Sequence, residues 1–231
     1  MKKTHTLRRF QVGLSSEEKS SFFGFFSRFF YFTLKWEFNY IDNLDKASAL
    51  STDQIDVENA ERYDITYTDE KGEKRYPIIL HCSPSGAIER CIYALLEKAY
   101  ADQQKKEVPR LPLWLSPIQV RLIPISDSHI QNCEEVADNL RVNQIRADVD
   151  DRKLTVQKRV REAEQEWIPY IICVGEREVE SKKLPIRKRE LSTVEPMDLV
   201  SLVSEIKGKM KDKPFRQLPL PKQVSLRPTF A

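Results

Sequence analysis

A chain of 231 residues with 40% hydrophobic content can bury a sizeable core, as one large domain or two small ones. Its 38 Lys+Arg and 35 Asp+Glu leave only +3, so net charge alone argues for no nucleic-acid partner, and the class is globular. The distribution is uneven: between Ile206 and Ala231 seven basic residues face one acid, a local +6 that leaves −3 for residues 1–205.

The first apolar cluster is SFFGFFSRFFYF, residues 21–32, which is too short to cross a bilayer and carries Arg28 in its middle, so no membrane partner is expected. Phe22, Phe26 and Phe29 recur at helical spacing and predict a helix face packed against a core. TLKWEFNYID, residues 33–42, alternates Leu34, Trp36, Phe38 and Tyr40 with Lys35, Glu37 and Asn39, the pattern of a half-buried strand. A turn at Asp42-Asn43 leads to a second strand in ALSTDQIDV, and ITYTDEKGEKRYPIIL reads as two strands joined around Gly72. Period-two segments without long helices between them imply an antiparallel sheet. HCSPSGAIERCIYALLE then passes from an apolar run through a turn into a helix, with Ile88, Cys91, Ile92, Leu95 and Ala99 on one stripe.

ADQQKKEVPRLP is polar with two prolines, the strongest linker signal, and beyond it the rhythm changes. VRLIPIS reads as a strand, SHIQNCEEVADNLRV as a helix opened by Ser128, RADVD as a strand, VQKRVREAEQEW as a basic amphipathic helix and YIICVGE as a strand. Strands alternating with helices of this length imply βαβ crossovers and a mainly parallel sheet. EVESKKLPIRKR fits a strand or hairpin, PMDLVSLVSEIKGKMK a terminal helix, and the basic Pro-rich stretch from Lys213 a flexible tail. Cys82, Cys91, Cys133 and Cys173 form no CxxC pair and sit in apolar surroundings, as reduced core residues of a cytoplasmic protein do, and no secretory leader pattern opens the chain.

The order of antiparallel strands, GAIER helix, WLSPIQV, a small α/β unit and VGEREVESKKLPIR resembles the C-terminal part of threonyl-tRNA synthetase, especially its archaeal branch, from about Phe29 to about Met210. SGAIERCIYALLE is similar to the third of the three class II signature motifs. The resemblance implies a chain that is α/β and α+β. Residues 1–108 would be a partial class II catalytic domain whose antiparallel sheet carries motif 3 only. Residues 109–212 would be an anticodon-binding domain with a βαβ-type mixed sheet, and 213–231 a basic, Pro-rich tail.

By the same match Arg90 takes the place of the arginine that packs on ATP, a role suited to a planar, permanently charged guanidinium. His81 falls where the family has one of three protein ligands of a zinc that selects threonine, and Thr52 and Gln54 fall at positions lining the amino-acid pocket. Ala87 departs from the serine of the bacterial enzymes. In the second half Arg161, Glu178 and Arg187 match anticodon-contacting places, as does Asp151, where the bacterial enzymes have asparagine. Two extra residues stand between Asp151 and Arg161. Splayed anticodon bases are read on their edges by paired donors and acceptors, which Arg and Glu supply. Lys158, Arg159, Lys188 and Arg189 flank these positions and are expected to meet phosphates, a sequence-blind and salt-dependent contribution.

Each residue also has a plainer reading: a lone strand-end histidine is commonly structural, and a charged helix face is commonly just solvated. Catalytic zinc takes three protein ligands. Besides His81 this sequence offers only His5 and His129 as histidines, and motifs 1 and 2 have no counterpart in it. The expectation is therefore the C-terminal part of a threonyl-tRNA synthetase that recognises the anticodon arm of threonine tRNA and carries part of the ATP and threonine site. ATP and zinc belong to the complete family enzyme; this chain alone is expected to bind neither and to hold no catalytic residue. Two alternatives stand beside it: a ligase subunit completed by a second synthetase chain or a homodimer, and a non-catalytic accessory or interaction protein built on a synthetase remnant.

Overall fold

The computed structural model describes residues 8–11, 23–29, 32–191 and 193–228, so Phe22 and His5 lie outside the described residues. The chain divides into two compact units, Met1–Ala101 and Asp102–Ala231.

The first unit is built on an antiparallel sheet. Its strands are β1 (Arg8–Gln11), β2 (Phe23–Phe29), β3 (Phe32–Ile41) and β4 (Ala47–Asp56). A one-turn helix α1 (Asn59–Arg62) and a small ribbon of β5 (Tyr67–Thr68) and β6 (Lys74–Arg75) intervene before β7 (Ile79–Ser83), which completes the order β1-β2-β3-β4-β7. The aromatic stretch 23–29 is thus a strand and not the expected helix, paired with β3 so that Phe26 faces Trp36. Aromatic residues fit a pleated surface, and cross-strand pairing overrides the helical spacing. Asp42 makes the turn between β3 and β4 by accepting from the backbone N–H groups of Leu44 (2.9 Å) and Lys46 (2.8 Å).

Helix α2 (Ile88–Gln104) closes the unit. Gly86 in the preceding turn has φ +62°, and a Cβ there would lie 1.8 Å from the Leu50 carbonyl oxygen, so the turn of SGAIER admits glycine alone. The expected apolar stripe is split. Ala99 is buried and Cys91 and Leu95 are partly so, while Ile88, Ile92, Leu96 and Tyr100 form a second row that is 75, 51, 50 and 46% exposed.

The second unit has strands β8 (Val120–Pro124), β9 (Ala147–Val149) and β10 (Tyr170–Val174), with helix α3 (Ile130–Val142) between the first two and α4 (Val156–Gln165) between the last two. β8 is parallel to both β9 and β10. After a short helix α5 (Glu176–Ser181), β11 (Leu184–Lys188) runs antiparallel to β10 and β12 (Thr193–Met197) antiparallel to β11. Helix α6 (Leu199–Lys209) follows, started by Asp198, whose carboxylate accepts from Ser201 N–H at 2.8 Å. The sheet order is β12-β11-β10-β8-β9, a mixed sheet.

Strand alternation sorts this interior into two clusters. Val120, Leu122, Ile172, Val174 and Ile186 pack with Cys133, Ala137 and Leu140 of α3 and with Leu202 and Ile206 of α6. On the other face Ile123 and Ile171 pack with Ala163 of α4 and with Ile118 and Ile168. That second face also buries Arg121, whose guanidinium gives two hydrogen bonds to Asp148 (3.0 and 2.9 Å) and meets Glu166 at 2.8 Å.

The segment from Lys213 is not the loose tail expected of a Pro-rich basic stretch. It returns along β9: Val149 N–H donates to the Lys222 carbonyl at 2.9 Å, and Val149 bridges Gln223 in parallel. An edge strand with unpaired backbone groups takes whatever extended chain can reach it.

Candidate nucleic-acid interface

In the second unit the chain steps from β8 to β9 and then back past β8 to β10, so the order reverses between β8 and β10. In open α/β sheets ligands lie outside the carboxyl ends of the strands at such a reversal. Glu178 stands there: its carboxylate accepts from the Gly175 N–H at 2.9 Å and caps α5, which follows β10 directly. A Cβ on Gly175 would come within 2.7 Å of the Ile125 side chain beyond β8, so glycine lets the two strand ends approach.

Arg187 lies on β11 opposite Ile171, its side chain on the α4 face, and ion-pairs with Glu164 of α4 at 2.9 Å. Cys173 of β10 feels charge from both sides of this face. Burial pushes its thiol pKa up, Arg187 and Arg159 pull it back, and Glu178 raises it again. Arg161 is exposed on α4, three residues before Glu164 and hence on a neighbouring flank of the same helix. The structure therefore sets Glu178 at the end of β10 and ties Arg187 to Glu164 of α4, the helix that also carries Arg161.

The basic residues expected to meet phosphate separate by burial. Lys158 is 57% exposed and only 4.0 Å from Glu162, a weak pairing that leaves its charge available. Arg159 is buried and donates to the carbonyls of Asp150 (2.7 Å) and Pro124 (2.8 Å). Lys188 is buried between Glu195 and Glu205, 2.8 Å from each. Arg189 donates to the Pro109 carbonyl (2.8 Å) and the Glu164 carbonyl (2.6 Å) and lies over the Trp167 ring. For Arg159, Lys188 and Arg189 the expectation of phosphate contact is corrected: the first two are buried and Arg189 half-buried, and all three are held by carbonyl or carboxylate groups within the unit, as a cation withdrawn from water must be. Asp151 is also committed, accepting from both the backbone N–H and the hydroxyl of Ser225.

In the first unit Thr52 and Gln54 sit on one face of β4, and the Gln54 amide donates to the Thr52 hydroxyl at 3.4 Å. His81 faces Gln54 across the β4–β7 pairing and meets the buried Asp56 at 3.4 Å, while Asp56 also accepts from the Glu58 and Asn59 N–H groups. Arg90 is exposed and donates to the Ala49 carbonyl at 2.9 Å. Thr52, Gln54, His81 and Asp56 adjoin one another, and Arg90 is tied to the same strand β4 at Ala49. Among the described residues no group of three or more His, Cys, Asp or Glu could hold a metal ion.

The family described as "Anticodon binding domain" matches residues 119–209. The threonine–tRNA ligase of Thermococcus sibiricus is 54% identical over 203 residues, and that of Methanosarcina mazei 54% identical over 209, each match covering 88% of this chain. The second unit is an anticodon-binding domain of the threonyl-tRNA synthetase family. The chain spans about a third (32%) of the length of those relatives. Two solved structures from Cryptosporidium parvum share the fold. One is the RNA-binding domain of threonyl-tRNA synthetase (TM-score 0.62, 24% identity, 77% of this chain and 43% of that one). The other is prolyl-tRNA synthetase complexed with L-proline and AMP (TM-score 0.66, 22% identity, 80% and 38%). Among the described residues no helix is long and apolar enough to cross a membrane.

Three features of this anticodon-binding domain were missed in the sequence. Glu164 holds Arg187, and its spacing of three from Arg161 was the available signal. Arg177, Lys182 and Lys183 are exposed around the α5 that carries Glu178. Ser225 meets Asp151 across 74 positions of sequence, with no local signature.

Proposed function

We propose that the second unit recognises the anticodon arm of threonine tRNA, with Arg161, Glu178 and Arg187 reading base edges and Lys158, Arg177, Lys182 and Lys183 meeting phosphates. What carries the reading is the placement of Glu178 at the sheet's topological reversal and of Arg187 against Glu164 of α4, the helix that presents Arg161. The Arg187–Glu164 pair is half exposed on both sides, and such pairs contribute at most about 1 kcal/mol, so Arg187 can turn to a base at little cost. Filter binding tests it, using the anticodon stem-loop of threonine tRNA against one with a changed anticodon. Arg161→Ala and Arg187→Ala should each cost about 1–3 kcal/mol and relax discrimination, whereas Lys158→Ala should lower the salt slope by about one and leave discrimination intact. Equal affinity of the unmodified chain for both RNAs overturns the decoding role.

In this reading the chain is a cytoplasmic, archaeal-type synthetase portion, and Thr52, Gln54 and Arg90 contribute to an ATP and threonine site for aminoacylation. The remaining two thirds of such a ligase would complete that site, on the same chain or on a partner. His81, beside Asp56, would ligate zinc only where the rest of such a ligase supplies the other ligands. The 231 residues alone should show no threonine-dependent ATP–pyrophosphate exchange; robust exchange overturns this part.

A further inference from the structure

The segment from Lys213 is attached at several separate places. The buried Arg146 guanidinium reaches the Arg216 carbonyl (3.5 Å) and lies over the Phe215 ring at 5.7 Å. Lys222 pairs with Asp138 of α3 at 2.8 Å, while its carbonyl takes the Val149 N–H. The Gln223 amide donates to Glu134. Arg227 folds onto the Pro221 carbonyl and meets Asp148 at 2.8 Å, the carboxylate that also holds Arg121. At its far end Ser225 occupies both carboxylate oxygens of Asp151.

Asp151 begins the loop that leads into α4, and from it a continuous run of contacts reaches that helix. The Asp150 carboxylate receives two guanidinium N–H groups of Arg152 (2.8 and 2.6 Å), and Arg152 pairs with Glu162 of α4 at 2.8 Å. Arg159 of α4 donates back to the Asp150 carbonyl, and Thr155 caps the helix by accepting from Lys158 N–H. Glu162 and Arg159 flank Arg161 on the helix, and Glu164 two residues later holds Arg187.

We infer that the C-terminal segment is a latch that sets the position of the base-reading helix, with Ser225 and Asp151 as positioning residues and not as base contacts. The inference rests on the decoding role proposed above and deepens it: Asp151, the one carboxylate of the expected anticodon set at the edge next to β9, is the anchor of the latch. Tying the loop to β9 removes slack from α4, and recognition of base edges depends on that placement where phosphate attraction does not.

The full chain and four variants, Ser225→Ala, Ser225→Thr, Asp151→Ala and the Ser225→Ala/Asp151→Ala double, are assayed with the two anticodon stem-loops. Ser225→Ala should lower discrimination roughly threefold or more, the scale of coupling carried through a packed chain of contacts, with an unchanged salt slope. Ser225→Thr, which keeps the hydroxyl, should restore it. Because both residues act through one contact, the double variant should lose no more than Asp151→Ala. Hydrogen exchange of the Val149 amide shows whether the segment stays docked in each variant, which separates release of the latch from global unfolding. Full discrimination by Ser225→Ala, tighter or more selective binding on its removal, or additive losses in the double variant would each overturn the latch. An unmodified chain that cannot tell the two stem-loops apart overturns the decoding role instead.

Discussion

The two units bury their apolar residues to very different degrees. In residues 102–231 two clusters enclose both faces of the mixed sheet, and side chains such as Leu122, Ile172, Leu202 and Ile206 have no exposed surface. In residues 34–101 the buried hydrophobic residues among those described are Ala60 and Ala99, while Tyr63, Ile65, Tyr67, Ile78, Leu80, Ile88 and Ile92 are each about half exposed or more. Apolar area removed from water is the main favourable term in folding. The anticodon-binding unit therefore has its own source of stability, whereas the described residues of the first unit leave many of their large apolar side chains half exposed or more. That contrast agrees with a chain spanning 32% of its relatives' length, and patches of this kind mark interaction surfaces.

The largest effect that could break the contrast is expected at Asp148. Its carboxylate is fully buried, between Arg121, which is equally buried, and the partly buried Arg227. Asp148→Ala leaves Arg121 facing Glu166 alone, and breaking a buried pair from one side costs about 3–5 kcal/mol. Urea unfolding of the full chain should show a loss of that size confined to the second unit's transition. Next comes Leu202→Ala on α6, a cavity in the larger cluster, at about 2–5 kcal/mol by the same measurement. A loss below about 1 kcal/mol in either case would mean that the second unit is not held by its own core.

Sequence periodicity exposed this second unit well. Strand and helix alternation gave β8, α3, β9, α4 and β10 in order, because each element buries one stripe against the same sheet and carries its own spacing. It failed where partners are distant. The α5 turn and β12 were folded into neighbouring segments, and the return of Lys222 and Gln223 to β9 depends on an open strand edge that no local pattern announces. The site divides the same way. Arg161, Glu178 and Arg187 were nameable only through the family resemblance, and Arg159 and Arg161 look alike in VQKRVREAE until one turns to the Pro124 carbonyl and the other to solvent. In the first unit the aromatic run was misread as a helix because phenylalanine fills both odd and even positions of FFGFFSRFF, so no period stands out and the pairing with β3 decides.

Acid should act more gently and on a definite group. Glu205 lies on α6 beside Lys188, Tyr170 and Lys209, at 2.8, 3.0 and 3.2 Å. Burial raises its pKa, but the donors from Lys188, Tyr170 and Lys209 together outweigh burial and hold it below the usual 4.5. A carboxylate depressed in the folded state stabilises fully above the unfolded value and loses that contribution as pH falls through the lower folded value. The second unit should therefore weaken below about pH 4.5, and Glu205→Gln should flatten that limb of the stability–pH curve. An unchanged limb would assign acid sensitivity to other carboxylates.

The smallest effect on folding is expected at the outer row of α2, where the contrast is sharpest. Ile92 is 51% exposed, so Ile92→Ser removes little buried area, and a surface change of this kind moves stability by no more than about 0.5 kcal/mol. The same substitution at Ile172 would place a hydroxyl among side chains with no exposed surface and fall with the cavity-forming changes. Ile92→Ser should instead act on association: light scattering of the full chain at rising concentration should show less self-association, since the row of Ile88, Ile92, Leu96 and Tyr100 loses its centre. If Ile92→Ser unfolds the first unit as Leu202→Ala unfolds the second, then α2 is already covered in solution. The first unit would then have an interior of its own.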